Sequence, residues 1–127
     1  EQIKYSLKQT KNNTGLVLNI VLNYGGRQEI LSACKKICAD VLEGKINQDD
    51  ISEGIFKNYL YTQNLPDPDL LIRPSGEIRI SNFLLWQIAY TELWFTNIYW
   101  PEFKPENLME AIRDFQKRER RFGGLKK

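Results

Sequence analysis

The stretch that decides the fold runs from Asp67 to Phe103, DPDLLIRPSGEIRISNFLLWQIAYTELWFTNIYWPEF. Its apolar run at 70–72 predicts a buried strand that delivers Arg73 to its end, and Pro74-Ser75-Gly76 supplies a turn at once. Arg79 and Ser81 follow, just before an apolar segment that opens like a helix. Two guanidinium groups, a hydroxyl and free backbone N–H groups at a helix start are the parts that hold a diphosphate. Glu92, a lone carboxylate among apolar and aromatic residues, is the candidate to hold the magnesium such a ligand brings.

A helix unbroken from Ser81 to Glu92 would leave the two about 16 Å apart, too far to share one metal-bound diphosphate. The spacing therefore predicts a helix that stops near Ala89 and a second strand from Glu92 to Phe95 that returns the carboxylate to the rim. Each residue also has a plainer reading. Arg73 and Arg79 could pair with Asp67, Asp69 or Glu77, Ser81-Asn82 could be an ordinary N-cap, and Glu92 could sit at the core edge against an arginine.

The segment LLIRPSGEIRISNFLLWQIAYTELWF, with the flanking LNYGGR and RRFGG, resembles the signature of the cis-prenyltransferases, the family of bacterial undecaprenyl diphosphate synthase and isoprenyl transferase. The resemblance implies an α/β fold, a mostly parallel sheet flanked by helices. It also implies a magnesium-dependent enzyme that adds isopentenyl diphosphate to an allylic diphosphate with cis geometry. Loss of diphosphate from the allylic substrate gives a carbocation, the isopentenyl double bond attacks it, and a proton leaves. Carried onto this chain, Arg73, Arg79, Ile80 and Ser81 bind isopentenyl diphosphate and Glu92 ligates Mg2+. Arg121 and Gly123, of Arg121-Phe122-Gly123, reach the partner subunit's site in a homodimer. Pro74 stands where the family commonly has Thr, and Ile78 where some members have His. The front-half catalytic Asp and its Gly-Asn-Gly-Arg segment are not found here, so these residues alone are expected to be inactive, with no catalytic residue of their own.

Outward from that centre, the 127 residues and 42% hydrophobic content suit one globular domain. The net charge of +2 is uneven, because residues 113–127 hold seven basic against two acidic side chains. No run approaches the roughly 20 apolar residues of a membrane span, and no signal-peptide pattern opens the chain, so a cytoplasmic protein is expected. Its contact with membrane would be peripheral, through the lipid product. Glu1 opens what reads as the middle or end of a helix, with Ile3 and Leu7 on one face. The expectation is a single-domain fragment over 1–127, the carboxyl-terminal part of a cis-prenyltransferase domain.

LVLNIVLNY (16–24) has no charge and reads as a central strand buried on both faces, with Asn19 needing a partner. Gly25-Gly26 then precedes a helix over 27–42, closed by Gly44. Taken alone, the double glycine is more simply a tight turn than a phosphate loop. Ile30, Leu31, Cys34, Ile37, Cys38, Val41 and Leu42 are expected to form its inward face. Cys34 and Cys38 then read as free core thiols, since there is no His and no second Cys pair to complete a zinc site. Asp49, Asp50 and Glu53 resemble an Asp-rich metal motif, but carboxylates at a helix start need no such reason. Asn12-Asn13-Thr14 is likewise a decoy glycosylation signal. Ile51 to Leu60 predicts a short helix, and Asn64–Pro68 turns the chain toward the next strand. The alternation argues a parallel sheet whose rim carries both Gly25 and Arg73.

Pro105 to Arg121 predicts an amphipathic helix with Leu108, Ile112 and Phe115 inward. Two other functions compete with the enzyme: a non-catalytic interaction subunit of a cis-prenyltransferase, and a nucleic-acid-binding module built on the basic tail. The second is disfavoured by the lack of a basic face elsewhere, and no nucleic-acid partner is expected.

Overall fold

The structure, a computed structural model, describes residues 1–120. Strands β1 (Leu70–Arg73) and β2 (Glu92–Phe95) form a parallel pair, with Leu70 opposite Glu92 and Arg73 opposite Phe95. Around it are helices α1 (Gln2–Thr10), α2 (Gly26–Leu42), the short α3 (Glu53–Lys57) and α4 (Pro105–Lys117). The α/β arrangement and the return of the chain as a strand at Glu92 are both as expected.

Helix α2 ends as the sequence indicates. Gly44 takes φ 69°, its N–H reaches the Val41 carbonyl, and Lys45 N–H reaches Asp40 at 2.8 Å, the paired bonds of a left-handed C-terminal cap. Its buried face is different from the one expected. Gly26, Glu29, Ala33 and Ile37 are buried, while Leu31 and Leu42 are exposed, as are both cysteines. Cys34 and Cys38 are therefore free surface thiols, not core residues. The helix carries apolar side chains on more than one face, and a stripe read for hydrophobicity alone passed over the glutamate that is buried.

The 16–24 strand is corrected outright. Residues 16–23 have no partner in the β1–β2 sheet, and Leu16, Leu18, Ile20 and Leu22 are all more than two-thirds exposed. β-propensity describes fitness for a pleated, half-buried surface, and here no neighbouring strand supplies one.

Between β1 and β2 the expected helix at 81–89 is replaced by consecutive turns. Ser81, Asn82 and Leu84 have φ of 47°, 64° and 46°, and a backbone that repeatedly enters the left-handed region cannot propagate a right-handed helix. Turn bonds such as Phe83 N–H to Ile80 O at 3.0 Å and Thr91 N–H to Ile88 O at 3.1 Å stand beside a single-turn bond of helical spacing, Ile88 N–H to Leu84 O at 3.0 Å, and no continuous helical ladder forms among them.

Packing ties these pieces together around a small core that includes Ala33, Ile37, Leu60, Ile88, Trp94 and Ala111. Phe56 of α3 packs against Trp86 with ring centroids 4.4 Å apart, and Trp94 Nε1 donates to Asp114 Oδ2 at 3.2 Å, docking α4 on β2. In α4, Ile112 and Phe115 are half-buried as expected, but Leu108 is 42% exposed and Ala111 takes the innermost place. The helix stops at Lys117, four residues short of the expected end, with Arg118 in extended backbone. No helix among the described residues is long and apolar enough to cross a membrane.

Candidate functional site

At the carboxyl end of β1, Arg73 turns its guanidinium onto the chain that follows it. Nη1 donates to Ser81 Oγ at 3.0 Å and to the Arg79 carbonyl at 2.5 Å. A planar guanidinium has five donors, and among the described residues these two bonds both leave from Nη1. The outer edge is thus left for an anion. Arg79 itself contributes only its carbonyl to this cluster; its side chain is exposed and pairs with Glu77. Such exposed pairs are worth under about 1 kcal/mol, so the side chain can leave Glu77 for a stronger charge. Ile80, between them, is half-buried.

The Pro74-Ser75-Gly76 turn holds the same rim. Ser75 N–H donates to the Ile98 carbonyl and Gly76 N–H to Thr96, each at 2.8 Å, so the turn is anchored to the segment leaving β2. Gly76 has φ 73°, which is what calls for glycine here, and a Cβ there would also stand 2.9 Å from Asn97 Oδ1, an end that can swing aside.

The other wall is the start of α2. Gly25 leaves that helix without a side-chain cap of its own, and Asn82 supplies one from 55 residues away: Oδ1 accepts Arg27 N–H at 2.9 Å and the main-chain oxygen accepts Gly26 N–H at 2.7 Å. Gly26 is packed so closely on this loop that a Cβ would fall 2.8 Å from Leu85 Cγ and 3.1 Å from the Asn82 carbonyl. The Gly25-Gly26 turn and Arg73 do meet at one rim, through Ser81-Asn82. Asn82 does act as a cap, though of α2 and not of the helix expected to follow it, which does not form.

Beneath the rim lies a polar staple that the sequence did not announce. Glu29, 1% exposed, accepts from Tyr24 Oη at 2.5 Å, from Tyr61 N–H at 2.8 Å and from Gln87 Nε2 at 3.0 Å. Gln87 Nε2 also donates to Thr62 Oγ1 at 2.9 Å. A signal existed in the spacing Gly26, Glu29, Ala33, Ile37, which marks one helix face. Burial, reinforced by the hydrogen bond and charge of Glu29, pushes the Tyr24 hydroxyl far above its ordinary range. A raised tyrosine pKa stabilises the fold fully below the ordinary value of about 10 and loses that contribution as pH rises through the folded value. Comparing the tyrosinate absorbance of the wild type and Tyr24→Phe in alkaline titration should show Tyr24 ionising last, with stability declining above the ordinary tyrosine range. Ionisation of Tyr24 together with the surface tyrosines would contradict the staple.

Glu92 is not at the Arg73 rim. The register puts it opposite Leu70, at the amino end of the parallel pair, about 10 Å along the strand from the level of Arg73. Its Oε2 accepts from Arg118 Nη1 at 2.8 Å, and Arg118 also reaches the Leu93 carbonyl. The expected return of the carboxylate to the rim is therefore corrected: the strand forms, but a parallel partner entering from the same end brings its first residue to the far edge. Among the described residues no three His, Cys, Asp or Glu side chains stand together to hold a metal. One carboxylate already paired to a guanidinium does not make a magnesium site by itself. Arg121 and Gly123 lie outside the described residues.

This rim lies within a region of extended family likeness. Residues 1–123 match the prenyltransferase family described as "Putative undecaprenyl diphosphate synthase". The chain belongs to the undecaprenyl diphosphate synthase family. The isoprenyl transferase of Clostridium perfringens is 57% identical over 124 residues, which are 98% of this chain and 49% of that protein. That of Clostridium acetobutylicum is 60% identical over 121 residues, 93% of this chain and 47% of its own length. The chain thus spans about half the length of these relatives. Among solved structures, lavandulyl diphosphate synthase from Lavandula x intermedia, in complex with dimethylallyl diphosphate, superposes with a TM-score of 0.92 at 40% identity. The match covers 95% of this chain and 52% of that one. A probable undecaprenyl diphosphate synthase from Campylobacter jejuni gives 0.79 at 33%, over 96% and 54% of the two chains.

Proposed function

We propose that this chain provides the isopentenyl diphosphate side of a cytoplasmic cis-prenyltransferase, which condenses that substrate with an allylic diphosphate to make a cis-polyprenyl diphosphate of the undecaprenyl type. The observation that carries the reading is the Arg73–Ser81 bond at the end of a parallel strand, beside a turn whose backbone is held in the left-handed region. Strained backbone of this kind persists where surrounding contacts over-determine it, and it clusters at ligand clamps. The solved relative bound to dimethylallyl diphosphate, itself an allylic diphosphate, supports a diphosphate chemistry for the family.

In this reading Arg73 and Ser81 receive the diphosphate of isopentenyl diphosphate, with Ile80 closing the wall between them. Arg79 exchanges Glu77 for a phosphate oxygen. The work of these groups is positioning: the homoallylic double bond must face the allylic carbon as its diphosphate departs. Magnesium belongs to the proposal as an ion carried largely by diphosphate oxygens, and it would neutralise charge on the leaving group. Family likeness offers Glu92 as its carboxylate, but that residue lies at the amino edge of the strand pair against Arg118 and is not placed to share an ion with a diphosphate held at Arg73. Homodimerisation through Arg121-Phe122-Gly123, and a peripheral contact with membrane through the lipid product, complete the reading on family grounds. The Glu92–Arg118 pair favours one rival, a non-catalytic interaction subunit, in which that carboxylate stays engaged.

Arg79→Ala tests the assignment. In the full-length protein it should raise the KM for isopentenyl diphosphate by about tenfold, because the group is recruited from a weak surface pair, and leave the KM of the allylic partner nearly unchanged. Equal effects on both substrates would count against it, and a wild-type protein with no transferase activity would favour the subunit reading.

A further inference from the structure

Asn82 joins two parts of the molecule with three contacts. Its main-chain oxygen accepts Gly26 N–H at 2.7 Å, its Oδ1 accepts Arg27 N–H at 2.9 Å, and its Nδ2 lies 3.4 Å from Gln28 Oε1. These are the first three residues of α2, a helix whose own N-cap position is a glycine. Presenting both oxygens to one helix end requires the φ of 64° at Asn82, a conformation asparagine tolerates better than most residues. The neighbouring Ser81, at φ 47°, is carried with it, and in that conformation its Oγ meets Arg73.

We propose that Asn82 is a positioning residue that latches the Arg73–Ser81 cradle to the start of α2 and so sets the affinity for the isopentenyl diphosphate head group. The proposal rests on the reading of that cradle as the isopentenyl diphosphate site. Ser81 and Asn82 are the central residues of a turn closed by Phe83 N–H to Ile80 O at 3.0 Å, and the latch fixes that turn against α2. Without it the turn keeps its own bond but loses its anchor, and the hydroxyl shifts off Arg73. The helix end adds a second effect: its aligned N–H groups, bound to Asn82, place the positive end of a 17-residue helix behind the cradle.

Steady-state kinetics of the full-length protein separate a latch from a mere cap. Asn82→Ala should raise the KM for isopentenyl diphosphate by about tenfold, with kcat and the allylic KM within about twofold of wild type. Its melting temperature should also fall, because the cap is lost. Gly25→Ser supplies the discriminating variant. A Cβ at Gly25 would collide with Gln28 Oε1 and stand 2.8 Å from Asn82 Nδ2, so a serine there pushes both side-chain ends aside while its own hydroxyl takes over the cap of α2. The latch predicts a raised KM for isopentenyl diphosphate with the melting temperature kept. Wild-type KM in Gly25→Ser, or in Asn82→Ala, would overturn it. Arg73→Ala run alongside tells the two failures apart: an unchanged KM there sinks the site assignment and the latch with it, whereas a raised KM there with wild-type behaviour at Asn82 sinks the latch alone.

Discussion

Arg73→Ala in the full-length protein is expected to raise the KM for isopentenyl diphosphate by about a hundredfold, corresponding to roughly 3 kcal/mol of lost charge-assisted hydrogen bonding. The effect is larger than at Arg79 because Arg73 is fixed in advance. Its Nη1 is tied to Ser81 Oγ and to the Arg79 carbonyl, so the remaining donors are aimed without further loss of side-chain freedom. Removing it also takes from Ser81 the bond that orients its hydroxyl. Arg73→Lys should recover little, since a lysine offers a point charge where the cradle uses a planar fork. The KM of the allylic diphosphate should stay close to wild type. A variant that loses affinity for both substrates alike, or for neither, would remove Arg73 from the role given to it.

The largest effect on stability is expected at Glu29. Glu29→Ala leaves the Tyr61 N–H, the Tyr24 hydroxyl and one bond of Gln87 Nε2 without their shared acceptor, which is itself almost wholly buried, as is Gln87. Hydrogen bonds to a charged group contribute about 1.5–3 kcal/mol each and unpaired buried donors cost comparably, so a loss of about 3–5 kcal/mol is expected from urea unfolding. Tyr24→Phe, which deletes a single donor, should cost about 1–2 kcal/mol. The staple joins α2 to the segments at 61–62 and 87, so its loss should also loosen the turns that carry Ser81 and Asn82. A Glu29→Ala protein as stable as wild type would show that these bonds hold nothing together.

The parts of the fold that local chemistry decides were legible in the sequence. The strand ending at Arg73 and the left-handed cap at Gly44 follow from an apolar run and a glycine, and a strand does return at Glu92, although it was inferred from a carboxylate at the rim that the register places at the far edge. What depends on a distant partner was not. The 16–24 segment has the composition of a buried strand, yet pairing is a property of neighbours, and the sheet described here gives it none. The helix expected from Ser81 is undone by an interaction 55 residues away, in which α2 recruits Asn82 as its cap. The inward face of α2 shifted for a related reason, because the staple buries a glutamate that any hydrophobicity count places outside.

The site shows the same division. Arg73 and Ser81 were named from the sequence, and the structure brings them to 3.0 Å. Arg79 and Glu92 instead show the alternative each carried, a pair with Glu77 and a pair with Arg118. Both are partly exposed contacts that a multiply charged ligand can outcompete, and sequence cannot rank a resident partner against an absent one.

The measurement that goes straight to the central claim is a crystal structure of the full-length protein with isopentenyl diphosphate bound. Diphosphate oxygens are expected within hydrogen-bonding distance of the Arg73 guanidinium and the Ser81 hydroxyl, with Arg79 moved from Glu77 to the ligand. A diphosphate seated elsewhere, with the Arg73–Ser81 bond and the Arg79–Glu77 pair both intact, would contradict it.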